Sequence, residues 1–99
     1  MTEYQLREYK VKEGEMDALI EAWRTSVVPL RRKLGFHVVG AWVSRKENRF
    51  VWIVGWDGSG SFEEAAKRYY DSPERNTMKP DPASFLAEMD TIMVSSVSA

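Results

Sequence analysis

Arg49–Gly58 reads RFVWIVGWDG, which places a phenylalanine and two tryptophans between Phe50 and Trp56. As a strand, its side chains alternate, so Phe50, Trp52, Val54 and Trp56 point one way and Val51, Ile53 and Gly55 the other. Neither face is suited to water. The fold must therefore supply cover on both sides of this strand.

The segment before it has the same character. FHVVGAWVS (Phe36–Ser44) leads into the polar turn RKEN (45–48), so the two runs form a β-hairpin with a four-residue loop. Strict alternation puts Phe36, Val38 and Trp42 on one face and Val39, Ala41 and Val43 on the other. Upstream, Met16, Leu19, Ile20, Trp23, Val27, Leu30 and Leu34 make one apolar stripe at helical spacing. Glu15 and Asp17 open this helix. Arg31, Arg32 and Lys33 close it before Gly35, as the helix macrodipole favours. Pro29 removes one backbone hydrogen bond, which predicts a bend near Thr25 to Pro29. YQLREYKV (Tyr4–Val11) reads as a first strand.

Downstream, DGSGS breaks the chain, and Ser61 followed by Glu64 forms a capping box for a helix carrying Phe62, Ala65, Ala66 and Tyr69 to about Asp71. Ser72-Pro73 starts one more helical turn. KPDP (79–82) interrupts regular structure before FLAEMDTIMVSSV, a final strand or a helical turn leading into one. The order β-α-β-β-α-β specifies an α+β, ferredoxin-like domain over residues 1–99, with a four-stranded antiparallel sheet and both helices on one face. The helices leave the second face open. A second copy of the chain is the simplest cover, burying on the order of 800 Å² per partner, so a homodimer through the sheet face is expected.

Bulk composition narrows the partners. Fourteen Lys and Arg against 15 Asp and Glu leave a formal charge of -1, and no global field draws the chain to nucleic acid or an anionic membrane. There is no cysteine, which removes disulfides and thiolate chemistry and fits a reducing compartment. A charged N-terminus and the lack of any long apolar run predict a cytoplasmic protein.

YQLREYKVKEGEMDALIEAW, VVPLRRKLGFHVVGAWVS, NRFVWIVGWD and FEEAAKRYYDSP resemble, in order and spacing, the NIPSNAP family of the dimeric α+β barrel superfamily. The more specific parts are the opening LREY followed by a glycine at the helix start, the PLR…GF..VGAW passage, and Asn-Arg before a strand ending in Gly-Trp-Asp. After DSP, where family members often continue with a tryptophan, Glu74-Arg75 stand instead. The resemblance implies two ferredoxin-like subunits packed sheet against sheet. Relatives in the superfamily include cofactor-free monooxygenases and haem-degrading enzymes, with ligands held between helices and sheet.

Candidate chemistry is sparse. His37 is the only histidine, so no metal cluster is expected. At a strand start it reads first as a structural residue and second as a catalytic base. DGSGS lacks the Lys-Ser/Thr ending of a phosphate loop, and no cofactor is expected. Arg7, mid-strand between Leu6 and Glu8, reads as an ion-pair partner of Glu88 or Asp90 on the adjacent last strand, or else as an anion-binding group. Arg7 and His37 are the candidate catalytic residues. Tyr9, Trp23, Trp42, Trp52, Tyr69 and Tyr70 are candidates for lining a pocket for a flat apolar ligand, against the plainer reading that they are core. Three functions are compatible with these residues: a small-molecule binder or cofactor-free monooxygenase, a non-catalytic interaction dimer, and an RNA-recognition module stacking bases on Phe50 and Trp52. Net charge and the absence of the Arg/Lys-Gly-aromatic opening oppose the last.

Overall fold

The computed structural model describes residues 2–99. Strand β1 (Glu3–Val11) is followed by α1 (Met16–Ala22), a π-helical turn (Trp23–Val27) and α2 (Val28–Lys33), which form one continuous helix. The hairpin β2 (His37–Ser44) and β3 (Arg49–Trp56) comes next, then α3 (Phe62–Asp71), α4 (Pro73–Asn76), a 3-10 turn (Pro82–Phe85) and β4 (Leu86–Val94). The sheet is antiparallel in the order β2-β3-β1-β4. This is the ferredoxin-like arrangement expected from the order of elements.

The bend expected at Thr25 to Pro29 takes the form of the π turn. Pro29 has no N–H to offer the carbonyl four residues back, and the Val28 N–H reaches five residues back to the Trp23 carbonyl. The Thr25 hydroxyl donates to the Glu21 carbonyl at 2.8 Å. One extra residue in a turn rotates the remainder of the helix by about 100°. Val28, Leu30 and Arg31 are the buried residues of α2. Arg31 therefore faces the interior instead of complementing the helix end in solvent.

The helix stops in a Schellman arrangement: the Phe36 N–H donates to the Arg31 carbonyl at 2.9 Å and the Gly35 N–H to the Arg32 carbonyl at 3.0 Å. Gly35 has φ 96, and a Cβ there would meet the Trp56 ring at 3.1 Å. Both facts require glycine. At the start of α3, Glu64 N–H donates to Ser61 Oγ at 3.1 Å and Ser61 N–H to Glu64 Oε1 at 2.9 Å, completing the expected capping box. Ser61→Ala should cost about 1 kcal/mol in urea unfolding. Hydrogen bonds from the Ser61 backbone and side chain hold the Glu64 carboxyl below its ordinary range. Its contribution is therefore present above the unfolded-state pKa and lost as pH falls through the lowered folded value. A Ser61→Ala variant as stable as wild type would show that the cap is idle.

The tryptophans of the opening stretch face the helices. Phe50, Trp52, Val54 and Trp56 are buried with Tyr9 and Val11 of β1, against Leu19, Val27, Leu30, Phe36, Phe62 and Tyr69. Phe50 and Trp52, each 1% exposed, are covered by helix and offer no platform to stack bases, contrary to the RNA-module reading. On the far face, Ile53 stands opposite Leu6 and Gly40, Val51 opposite Glu8 and Trp42, and Ile92 opposite Leu6. Trp42 and Ile92 there are 56% and 59% exposed.

The strict alternation expected for β2 does not hold. A bulge between Val38 and Gly40 leaves Val39 outside the pairing, so Val38, Ala41 and Val43 all lie opposite the helix-side residues Val54, Trp52 and Phe50. Trp42 is turned onto the open face. Among the described residues, no helix is long and apolar enough to cross a membrane.

Candidate functional site

Alternation along β1 brings Gln5, Arg7 and Tyr9 to the helix side, where Arg7 stands opposite Trp52 of β3 and Thr91 of β4. The expected ion pair with Glu88 or Asp90 does not form. Those two carboxylates lie opposite Lys10 and Glu8, on the other face of the sheet. Arg7 is buried among neutral acceptors: Nε donates to Tyr9 Oη at 2.8 Å, Nη1 to Gln5 Oε1 at 2.7 Å and Nη2 to Tyr70 Oη at 2.8 Å. Tyr9 Oη also accepts from Trp52 Nε1 at 2.9 Å, which locks strand and ring together.

Arg31 enters the same space from α2 and is 1% exposed. Its guanidinium stacks on the Tyr69 ring, 3.8 Å from the centroid, with Phe36 at 4.8 Å and Trp52 at 5.6 Å. Its one hydrogen bond is long, from Nη2 to Tyr70 Oη at 3.4 Å. Nε and Nη1 are buried and without an acceptor, as is Trp23 Nε1. Among the described residues, neither Arg7 nor Arg31 belongs to an ion pair.

Two buried guanidinium groups thus share one phenol and have no carboxylate. Burial, aggravated by the like charge of Arg7, lowers the pKa of Arg31, although a guanidinium remains protonated in any accessible pH range. Burial pulls Arg7 the same way, but the hydroxyls of Tyr9 and Tyr70 outweigh it and leave its pKa raised. Tyr69 is raised by burial against the pull of Arg31, so the ring under that guanidinium is a neutral phenol. The site is an uncompensated positive centre inside an aromatic shell.

These groups line a cavity of about 280 Å³ between the helices and the sheet. Of the residues anticipated from sequence, Arg7, Tyr9, Trp23, Trp52, Tyr69 and Tyr70 all line it. His37 and Trp42 do not. His37 is exposed on the open side of β2, with Nε2 3.0 Å from Asp57 Oδ1. Trp42 is carried to the open face by the β2 bulge. Sequence reading missed Arg31, Gln5 and Arg75 as lining residues. Arg31 gave only a partial signal: unbroken helical spacing, four residues beyond Val27, puts it at the edge of the apolar stripe, and the π turn carries it fully to the buried side. Arg75, from α4, is paired with Asp81 at 3.3 Å and adds no free charge. Among the described residues, no three His, Asp or Glu side chains stand together as metal ligands.

A four-stranded antiparallel sheet in this strand order, with its helices packed on one face, defines the α+β, ferredoxin-like class. The NIPSNAP family model matches residues 4–99, and the chain belongs to the NIPSNAP family. No curated protein matches its sequence. Among solved structures it is similar to a NIPSNAP family protein from Agrobacterium tumefaciens, with a TM-score of 0.83 at 12% identity over 98% of this chain and 94% of that one. A second NIPSNAP family protein of unknown function from the same organism gives 0.79 at 19% identity, covering 94% of this chain and 86% of that one. A structure described as an antibiotic biosynthesis monooxygenase gives 0.67 at 15% identity, over 99% of this chain and 100% of that one. At such identities the likeness establishes the fold.

Proposed function

We propose that this protein binds a small, flat aromatic or apolar molecule in the cavity between helices and sheet, and does so as a homodimer joined through the open sheet face. The observation that carries the reading is the cavity itself. It is lined by Trp23, Trp52, Tyr9 and Tyr69, and its polar groups converge on one spot, the phenol shared by Arg7 and Arg31. That combination of apolar wall and few convergent polar groups is the usual form of a small-molecule site. The volume lies just under the roughly 300–1,000 Å³ that holds drug-sized ligands, which favours a compact molecule.

The tryptophans supply the test. A bound aromatic molecule should quench Trp23 and Trp52 fluorescence saturably and raise the melting temperature. Val27→Phe, which adds a ring to the cavity wall, should weaken that binding roughly tenfold or more while the far-ultraviolet spectrum is unchanged. Quenching that is identical in wild type and Val27→Phe would place the ligand elsewhere and end this reading.

A second reading, cofactor-free oxygenation, is favoured by the fold likeness to the antibiotic biosynthesis monooxygenase. In such a reaction an electron-rich ring CH2 and O2 become C=O and water, a four-electron oxidation in which the substrate itself is the only reductant. The arginines would steady the substrate oxyanion and the aromatics its ring. Of the two catalytic candidates from sequence, Arg7 lines the cavity and His37 does not. Oxygen uptake with a hydroxylated tricyclic ketone that is unchanged by the protein would remove this reading and leave the binding function standing.

A further inference from the structure

We infer that the ligand of this cavity carries a carboxylate, and that Arg31 rather than Arg7 is the residue that takes it. The inference rests on the cavity being the ligand site and specifies the chemical class it accepts.

Arg7 and Arg31 are not equivalent. Three nitrogens of Arg7 are already engaged, at 2.7–2.8 Å, with Gln5, Tyr9 and Tyr70. It is a positioning residue that holds two phenols at fixed points on the cavity wall. Arg31 is the opposite case: equally charged, more deeply buried, with Nε and Nη1 unpartnered and Nη2 held only at 3.4 Å. A buried charged group without its hydrogen bonds is strongly unfavourable, and such groups normally have a partner. Trp23 Nε1, from an earlier turn of the same helix, is a third buried donor without an acceptor, and Trp23 also lines the cavity.

The phenols add to this. Tyr9 Oη accepts from both Arg7 and Trp52, and Tyr70 Oη accepts from both arginines. An oxygen that accepts twice has only its own O–H left to give. The lining residues therefore hold buried donors in want of acceptors, Arg31 Nε and Nη1 and the Trp23 indole N–H, beside the O–H groups of Tyr9 and Tyr70. The acceptor near them, Gln5 Oε1, is engaged by Arg7. A group that matches must accept several hydrogen bonds and bring negative charge, which a carboxylate does with two oxygens and about four lone-pair directions. Of the rest of the lining, Leu19, Val27, Leu86 and Met89 are apolar, Thr91 is neutral and Arg75 is paired with Asp81, which suits a carbon body rather than a second charged end.

The test compares acid with alcohol on one carbon frame. Benzoate, 2-naphthoate and decanoate would each be titrated against benzyl alcohol, 2-naphthalenemethanol and decanol, by tryptophan quenching and calorimetry, with wild type and Arg31→Met. The expected result is that at least one acid binds wild type roughly tenfold or more tighter than its alcohol. In Arg31→Met that preference should fall to about one, with the alcohol's affinity retained. Equal binding of acid and alcohol to wild type would overturn the carboxylate assignment and leave the apolar site intact. Acid preference that survives Arg31→Met would overturn the role of Arg31. Failure of every acid and every alcohol to bind would overturn the inference together with the ligand-binding reading beneath it.

Discussion

Arg31→Met is expected to make the ligand-free protein more stable, by about 1–3 kcal/mol, because the charge it removes has no partner in the fold. Stacking on Tyr69 at 3.8 Å contributes about 2 kcal/mol to keeping the guanidinium in place, and the 3.4 Å bond to Tyr70 contributes under about 1 kcal/mol. Against these stands a desolvation penalty of several kcal/mol for a buried ion, with repulsion from Arg7 added. Methionine keeps an unbranched apolar stem against Tyr69 and Phe36 and leaves no orphaned donor. In a chain of 99 residues the gain corresponds to a rise in melting temperature of roughly 4–8 °C per kcal/mol, at matched protein concentration. Urea unfolding that shows Arg31→Met losing a kcal/mol or more would mark Arg31 as a strut held by its rings. The expected sign, more stable and less able to bind, is that of a residue kept for function.

The second large effect belongs to the open sheet face. Leu6, Val51 and Ile53 form its centre, with Trp42 and Ile92 exposed at either side. If a second copy covers this surface, Trp42→Asp places an uncompensated charge in the contact. The dimer should weaken by about 3 kcal/mol, roughly a hundredfold in dissociation constant. Ile92→Asp, on the opposite edge of the same face, should act alike. Sedimentation equilibrium across micromolar concentrations reads the effect directly. A wild type that is monomeric throughout, or a Trp42→Asp protein that dimerises as tightly, would show that the face is covered in some other way or left bare.

Much of the fold was legible because it depends on periodicity. The alternation in Arg49–Trp56, the helical stripe from Met16, the RKEN turn and the Ser61–Glu64 box are local patterns, and each appears where the residues place it. The aromatic residues of the cavity were legible for the same reason, since a strand or helix period assigns Tyr9, Trp23, Trp52 and Tyr69 to the buried side. Charge was harder to read. Arg7 was singled out correctly as anomalous, but its expected partners Glu88 and Asp90 are adjacent only in strand order, and the register of β4 turns them to the other face.

Sequence alone determined the order of elements, the antiparallel sheet with its helices on one side, and the surplus of apolar surface that the helices cannot cover, since each comes from side-chain spacing along a single element. Tertiary structure decided three things that spacing does not encode. The bulge at Val39 sent Trp42 to the open face, the π turn before Pro29 brought Arg31 inward, and the register of β4 left Arg7 without its expected carboxylate. Each of these shifts the chain by one residue, or pairs segments distant in sequence. A one-residue shift reverses which side of a strand, or which side of a helix, a charge must occupy.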